Sequence, residues 1–168
     1  MIWEIALLSL LGAGAIHGYQ TRNRGPGRIP EMMLVYLLTV YCGVLQIVVA
    51  GMIIYDPDWV AINMTGTPPG NPIMAWTGFT YLGLAATAAL APWFRGPYLI
   101  APTLGWTIYW AGATYAHTVV DLAKGRNSFA TVVTEAFLSH GIVAVILLGL
   151  AISLLFSRRT ASSAPAVA

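Results

Sequence analysis

The sequence predicts an all-α integral membrane protein, a bundle of five transmembrane helices. Of the 168 residues, 58% are hydrophobic and 8% are charged, whereas about a quarter of the residues in a soluble domain are charged. The apolar residues form five long runs, separated by short segments rich in Pro, Gly and Arg. A helix needs about 20 apolar residues to cross a bilayer, so five spans use about 100 residues and leave no room for a second domain.

Each span is bounded by polar or turn-forming residues, and the predicted spans are residues 2–19, 32–55, 73–93, 98–121 and 129–156. The first span is short and carries Glu4 and His17. A cleaved signal peptide is the alternative, although such a peptide begins with basic residues. Asp56-Pro57-Asp58 ends the second span, and Arg95-Gly96-Pro97 separates the third from the fourth. Residues 1–159 are thus expected to form a single transmembrane domain, and residues 160–168 a disordered tail.

The basic residues predict the orientation of the bundle. One side of the predicted bundle holds six arginines, namely Arg22, Arg24, Arg28, Arg95, Arg158 and Arg159. The other side holds Lys124 and Arg126, beside three aspartates. Because cytoplasmic loops carry the excess of basic residues, we expect the N-terminus outside and the C-terminus in the cytoplasm. The basic residues are scattered and the net charge is +2, which argues against a nucleic-acid interface.

Small residues within the spans are expected to let the helices approach closely. Helices in lipid associate through such close contacts and through polar side chains rather than through the hydrophobic effect. The small residues on which this prediction depends are Gly12, Gly14, Gly43, Gly51, Gly78, Gly83, Ala101, Gly105, Gly112 and Ala116.

Ionisable residues inside the predicted spans indicate where a site lies, because such groups are costly in lipid. His117 and Asp121 are four residues apart and share a helix face with Trp106 and Trp110. His117 lies about 6 Å and Glu135 about 9 Å from the outer ends of their spans. We therefore expect an outward-facing acidic pocket of His117, Asp121 and Glu135 above an aromatic floor. In the alternative interpretation these groups cap and connect helices without a ligand.

The sequence offers little for a metal or a cofactor, and none is predicted. The three histidines, His17, His117 and His140, are expected at three depths about 10 Å or more apart, which argues against a bis-histidine haem. A metal site of His117, Asp121 and Glu135 is chemically permissible, but it would have one histidine and a spacing that is common by chance. The single cysteine, Cys42, excludes an intrachain disulfide.

Short glycine-rich motifs carry a resemblance to a known family; they are Gly78-Phe79-Thr80-Tyr81-Leu82-Gly83, the run from Trp110 to His117, and Asn127-Ser128-Phe129. Over residues 30–155 the chain resembles an uncharacterised family of small polytopic bacterial membrane proteins. That family has a Gly-Phe-x-x-Leu-Gly stretch in the third span and a small-residue run ending in His in the fourth. The resemblance points to His117, Asn127 and Glu135 and implies a bacterial inner membrane, but no activity. The chain departs from the family pattern at Met74 and Trp76.

Three functional hypotheses follow, and whether the chain is an enzyme stays open. The first is a membrane protein that binds a small or lipophilic ligand through His117, Asp121, Glu135, Trp106 and Trp110. The second is an intramembrane isomerase or cyclase, with Glu135, Asp121 and His117 as catalytic candidates and the tryptophan faces stabilising a cation. The third is an accessory subunit of a larger membrane complex. The expected partners are the bilayer, a ligand, and further copies or other subunits.

Overall fold

The computed structural model describes residues 2–25, 27–65, 68–121, 123, 125, 137–138 and 140–162. The described residues are helical apart from short connections, and no strand occurs among them. The prediction of an all-α chain is therefore confirmed.

Seven α-helices are described, and π-helical or 3-10 turns extend or join several of them. The α-helices are α1 (Ile2–Gln20), α2 (Arg28–Tyr36), α3 (Leu45–Tyr55), α4 (Pro57–Val60), α5 (Pro72–Ala89), α6 (Ile100–Tyr115) and α7 (Ile142–Ser162). The π-helical turns are Leu37–Val44, Ala61–Thr65 and Ala116–Asp121, and the 3-10 turns are Arg22–Arg24 and Gly96–Leu99. The turn Leu37–Val44 joins α2 and α3 into one continuous helix.

Helix α1 covers the predicted run 2–19 and one residue more, the α2–α3 helix begins at Arg28 rather than at residue 32, and α5 ends at Ala89 rather than at residue 93. Helix α7 begins at Ile142 and runs to Ser162, three residues into the predicted tail, and most of residues 129–141 lie outside the described residues. By length and composition, one helix in the described part of the chain, Arg28–Tyr55, is apolar enough to cross a membrane, and Ile142–Arg158 is a shorter apolar helix.

Some of the glycines that were predicted to let helices approach closely lie at such contacts. A methyl group added at Gly14 would lie 2.7 Å from the Met33 Cα atom, and one at Gly43 would lie 2.8 Å from the Ala89 Cα atom. At these positions the backbones touch, so α1 packs on α2 and the α2–α3 helix packs on α5. Four other predicted packing glycines have no atom of the described residues within 4 Å of such a methyl group: Gly12, Gly51, Gly83 and Gly112.

The first loop, the turn before α6 and the end of α7 meet at one end of the bundle, which we name the arginine end. Its described basic residues are Arg22, Arg24, Arg28, Arg95 and Arg158. Glu31 of α2 accepts a hydrogen bond from Arg28 at 3.1 Å and forms an ion pair with Arg158 at 3.7 Å. A methyl group at Gly27 would lie 2.9 Å from Ser157 Cβ, so the start of α2 rests directly on α7.

Candidate functional site

Four rings form a continuous stack at the end of α6 that lies away from the arginine end. Trp106, Trp110 and His117 share one helix face because they are spaced by four and seven residues. The Trp106 and Trp110 centroids are 5.7 Å apart, with planes inclined by 28°. His140, just before α7, stacks on Trp110 at 5.1 Å and 18° and on His117 at 5.5 Å and 13°. We name the region of His117 and His140 the histidine end.

The sequence spacing explains why one ring fits between Trp110 and His117. Seven residues of α-helix rise about 10.5 Å, which matches the two stacking distances of 5.1 Å and 5.5 Å placed end to end. Helix α6 packs along α7, so the segment just before α7 can supply the missing ring. His140 therefore fills a gap of two helical turns that α6 alone leaves open.

This contact shows that the predicted separation of the histidines is wrong. His117 and His140 were expected at different depths, but their rings stack 5.5 Å apart. The prediction counted depth along each span separately, whereas α6 packs along α7 and brings the His117 and His140 rings together. The two imidazoles present their faces to each other, whereas axial haem ligands direct their nitrogens at a shared iron.

The two tryptophans belong to the packed core of the bundle. Trp106 is 0% and Trp110 is 6% exposed. The indole N–H of Trp106 donates to the Leu84 carbonyl at 3.3 Å. The hydroxyls of Tyr81 and Tyr109 hydrogen-bond to each other next to Trp106. The tryptophans therefore support the stack from within the core.

The His140 imidazole is one of two groups in this stack that bury a polar atom without a described hydrogen-bond partner, and the other is the Trp110 indole N–H. The His140 Nδ1 atom is buried and has no hydrogen-bond partner among the described residues. Burying such an atom without a partner costs about 1–3 kcal/mol. The hydroxyls of Thr39 and Thr107 are also buried without a described partner, but unlike these hydroxyls the imidazole of His140 lies between stacked rings.

The acidic residues of the predicted pocket lie at the border of the described chain. Asp121 is the last residue of the π-helical turn Ala116–Asp121 and lies about one helical turn after His117. Its side chain is outside the described residues. Glu135 is outside them entirely. The pocket of His117, Asp121 and Glu135 therefore stays a prediction. Within the described ranges, no group of three His, Cys, Asp or Glu residues is placed to hold a metal ion.

Sequence reasoning missed His140 as a partner of His117. One signal could have found it: Trp110 and His117 leave a two-turn gap on one face of α6, and a ring on the antiparallel neighbour would fill that gap. His140 is the histidine of the neighbouring span. Depth along separate spans does not show which rings on neighbouring helices pack together, so the contact of His140 with His117 is not predicted by it.

Comparison with known proteins relates this chain to one protein family. The family model described as a family of unknown function, DUF6790, matches residues 1–163, so the chain belongs to that family. The resemblance to an uncharacterised family is confirmed to this extent. No curated protein and no solved structure matches the chain.

Proposed function

We propose that this chain is a multi-pass membrane protein that binds a small lipophilic ligand at the histidine end. The observation that carries the proposal is the buried Nδ1 atom of His140, which lies within a stack of aromatic rings and has no described hydrogen-bond partner. The large majority of buried side-chain polar atoms in native structures have a hydrogen-bond partner. A ligand that hydrogen-bonds to it would compensate for its burial.

The outer surface of the helices supports the membrane part of the proposal. Large apolar side chains point outward from helices on different sides of the bundle, with Leu8 67%, Ile108 71% and Val145 71% exposed. Soluble monomers rarely expose contiguous apolar patches of more than a few hundred Å². A bilayer would cover this surface, and all five predicted spans would then cross it.

The distribution of arginines supports an orientation. The arginine end joins the first loop, the turn before α6 and the end of α7, which are the segments that the basic residues assign to the cytoplasm. The histidine end would then face outward, in a bacterial inner membrane. Asp121 and Glu135 belong to the proposed site on this side and would supply its acidic groups.

The ligand class follows from the chemistry of the stack. A neutral imidazole offers one donor and one acceptor nitrogen, and the flat rings around it favour a flat or apolar body. We therefore propose a lipid-soluble molecule that carries one hydrogen-bonding head group. The cyclase alternative has no observation in its favour, because Trp106 and His140 stack on Trp110 and leave little open indole face for a cation.

The test uses native mass spectrometry of the full chain, extracted from its own membrane in a mild detergent. We expect a discrete small mass bound to the wild type and lost from His140→Phe, which keeps a flat ring but removes both nitrogens. Glu135→Gln tests the acidic part of the site in the same way.

His17→Phe is the matched control, because His17 is bound to the Tyr36 hydroxyl at 3.2 Å on another part of the bundle. Retention of the small mass by His140→Phe would overturn the proposal. Release of the wild type together with other polypeptides at fixed stoichiometry would favour the accessory-subunit hypothesis instead.

A further inference from the structure

An open cavity of about 280 Å³ lies at the arginine end, between the first loop, the start of α2 and the end of α7. Arg22 and Arg28 supply its cationic groups, and Ser157 of α7 also lines it, with its hydroxyl donating to the Ser153 carbonyl at 2.8 Å. Ile29 contributes the first turn of α2. The cavity is far from the histidine end, because α6 runs the length of the bundle between them.

The two arginines are held in place by neighbouring groups. Arg28 donates from Nε to the Thr21 hydroxyl at 3.1 Å and from Nη1 to Glu31 at 3.1 Å. The Arg22 guanidinium lies 4.1 Å above the Tyr19 ring and donates to the Tyr19 carbonyl at 3.2 Å. Guanidinium groups fixed in this way lose little rotamer freedom when they bind an anion.

The start of α2 adds donors from the backbone. Gly27, at the N-cap, has φ +75° and no side chain, so no side-chain cap accepts from the first turn. A Ser or Asp cap would accept from the second or third helical residue; the third is Pro30, which has no N–H, so the Ile29 N–H lacks the partner that such a cap would provide. The N-terminus of a helix favours an anion through such N–H groups and through its dipole.

Charge at this end is unbalanced among the described residues. Five arginines (Arg22, Arg24, Arg28, Arg95 and Arg158) lie near one another, and the described carboxylate that contacts them is Glu31. Glu31 is shared between two of them, at 3.1 Å from Arg28 and 3.7 Å from Arg158. An additional anion would compensate the remaining positive charge.

We propose that this cavity binds a phosphate group, either that of an anionic phospholipid head group or a free phosphate ion. Guanidinium forks match phosphate oxygens, and basic pockets between helices on the cytoplasmic side of a membrane bind anionic head groups. The phospholipid source rests on the proposed membrane location, whereas the free-ion source does not. Failure of the phospholipid arm alone therefore bears on location, and failure of both arms bears on the site.

The experiment measures thermal stabilisation of the full chain in detergent after removal of bound lipid. One arm titrates phosphatidylglycerol against phosphatidylcholine of the same chain length. The second arm titrates inorganic phosphate against sodium chloride at equal ionic strength. Each arm compares the wild type with Arg22→Gln, Arg28→Lys and Arg24→Gln, of which the last removes a charge from the same loop at a position that does not line the cavity.

We expect apparent affinity to fall about tenfold in Arg22→Gln, because a hydrogen bond to a charged group contributes about that factor. Arg28→Lys should weaken binding less, since it keeps the charge but loses the planar fork, and Arg24→Gln should bind as the wild type does. Stabilisation by phosphatidylglycerol identifies the lipid as the source, and stabilisation by phosphate alone identifies the free ion.

The proposal is overturned if neither arm distinguishes the wild type from Arg22→Gln. It is also overturned if Arg24→Gln weakens binding as much as Arg22→Gln, because diffuse attraction to basic residues would then explain the result.

Discussion

At the arginine end, side chains from three segments contact one another, whereas at the histidine end a buried imidazole has rings on both faces and no described partner for Nδ1. Arg28, Glu31 and Arg158 form a connected group of ion pairs. His140 instead lies between Trp110 and His117 without such a connection for Nδ1. Charged groups at the arginine end are thus paired with one another, whereas a polar atom at the histidine end is buried without a described partner.

The two ends differ in how their polar groups affect the stability of the fold. Ion pairs that are partly buried and connected hold segments together, and removing one member leaves the other uncompensated. A buried polar atom without a partner makes the fold less stable, and it persists where a ligand or a reaction uses it. We therefore expect substitutions at the two ends to change stability in opposite directions.

The largest effect is expected for Gly27→Ala, at the contact between α2 and α7. The new methyl group would lie 2.9 Å from Ser157 Cβ at a residue with φ +75°, so steric overlap adds to backbone strain. We expect a loss of about 3 kcal/mol in the free energy of unfolding. The measurement is thermal or denaturant unfolding in detergent, followed by tryptophan fluorescence.

Gly125→Ala is the matched control on the other side of the chain. Gly125 also has positive φ, +67°, but no atom of the described residues lies within 4 Å of an added methyl group. Backbone strain alone should cost about 1 kcal/mol. Equal losses in the two variants would show that the contact of α2 with α7 contributes nothing, and the arginine end would lose its role as a fixed junction.

The next effect is expected for Glu31→Gln. Its side chain is 13% exposed and faces Arg28 and Arg158, so the neutral amide would leave two guanidinium groups without a counter-charge. We expect the free energy of unfolding to fall by about 2 kcal/mol in delipidated detergent. Arg158→Gln should cost less, because that side chain is 39% exposed and surface pairs contribute little. The reverse order would contradict the assignment of Glu31 as the central group.

The helices and the arginine end can be predicted from local sequence patterns, whereas the ring contacts of the histidine end cannot. Long apolar runs and flanking turn residues determine where helices start and stop, and the arginines mark one side without any knowledge of packing. Arg28 and Glu31 are close in sequence and share a helix, so their contact is local. The stack depends on His140 and Trp110, which are distant in sequence and meet only when α6 packs on α7.

Within the candidate site, the sequence predicts that Trp106, Trp110 and His117 share a helix face, but it does not predict the contact between His117 and His140. Trp106, Trp110 and His117 share a face by helical periodicity; the two tryptophan rings stack on each other, and the His117 ring stacks on His140. The contact of His117 with His140 depends on how α6 packs along α7, which the local sequence of neither helix determines. Depth counted separately along each span therefore misplaced His140.

A smaller effect is expected for Tyr81→Phe, in the core between the two ends. The variant removes one hydroxyl of the Tyr81–Tyr109 hydrogen bond and leaves the Tyr109 hydroxyl without it. We expect a loss of about 1.5 kcal/mol in the free energy of unfolding. Tyr19→Phe, at an exposed tyrosine, is the control and should be neutral. A neutral result for Tyr81→Phe would mean that satisfied polar groups in this core contribute no stability.

The smallest effect, and the one of opposite sign, is expected for His140→Phe. Phenylalanine keeps a flat ring between Trp110 and His117 but removes the buried Nδ1 atom that lacks a described partner. We expect the free energy of unfolding to rise by about 1 kcal/mol in delipidated detergent, whereas His140→Ala should lower it by removing the stacked ring. The same His140→Phe chain should lose the bound small mass. A more stable protein that no longer binds would show that His140 is maintained for its ligand, while a marked loss of stability would show that its nitrogens hold the fold and would remove the contrast between the two ends.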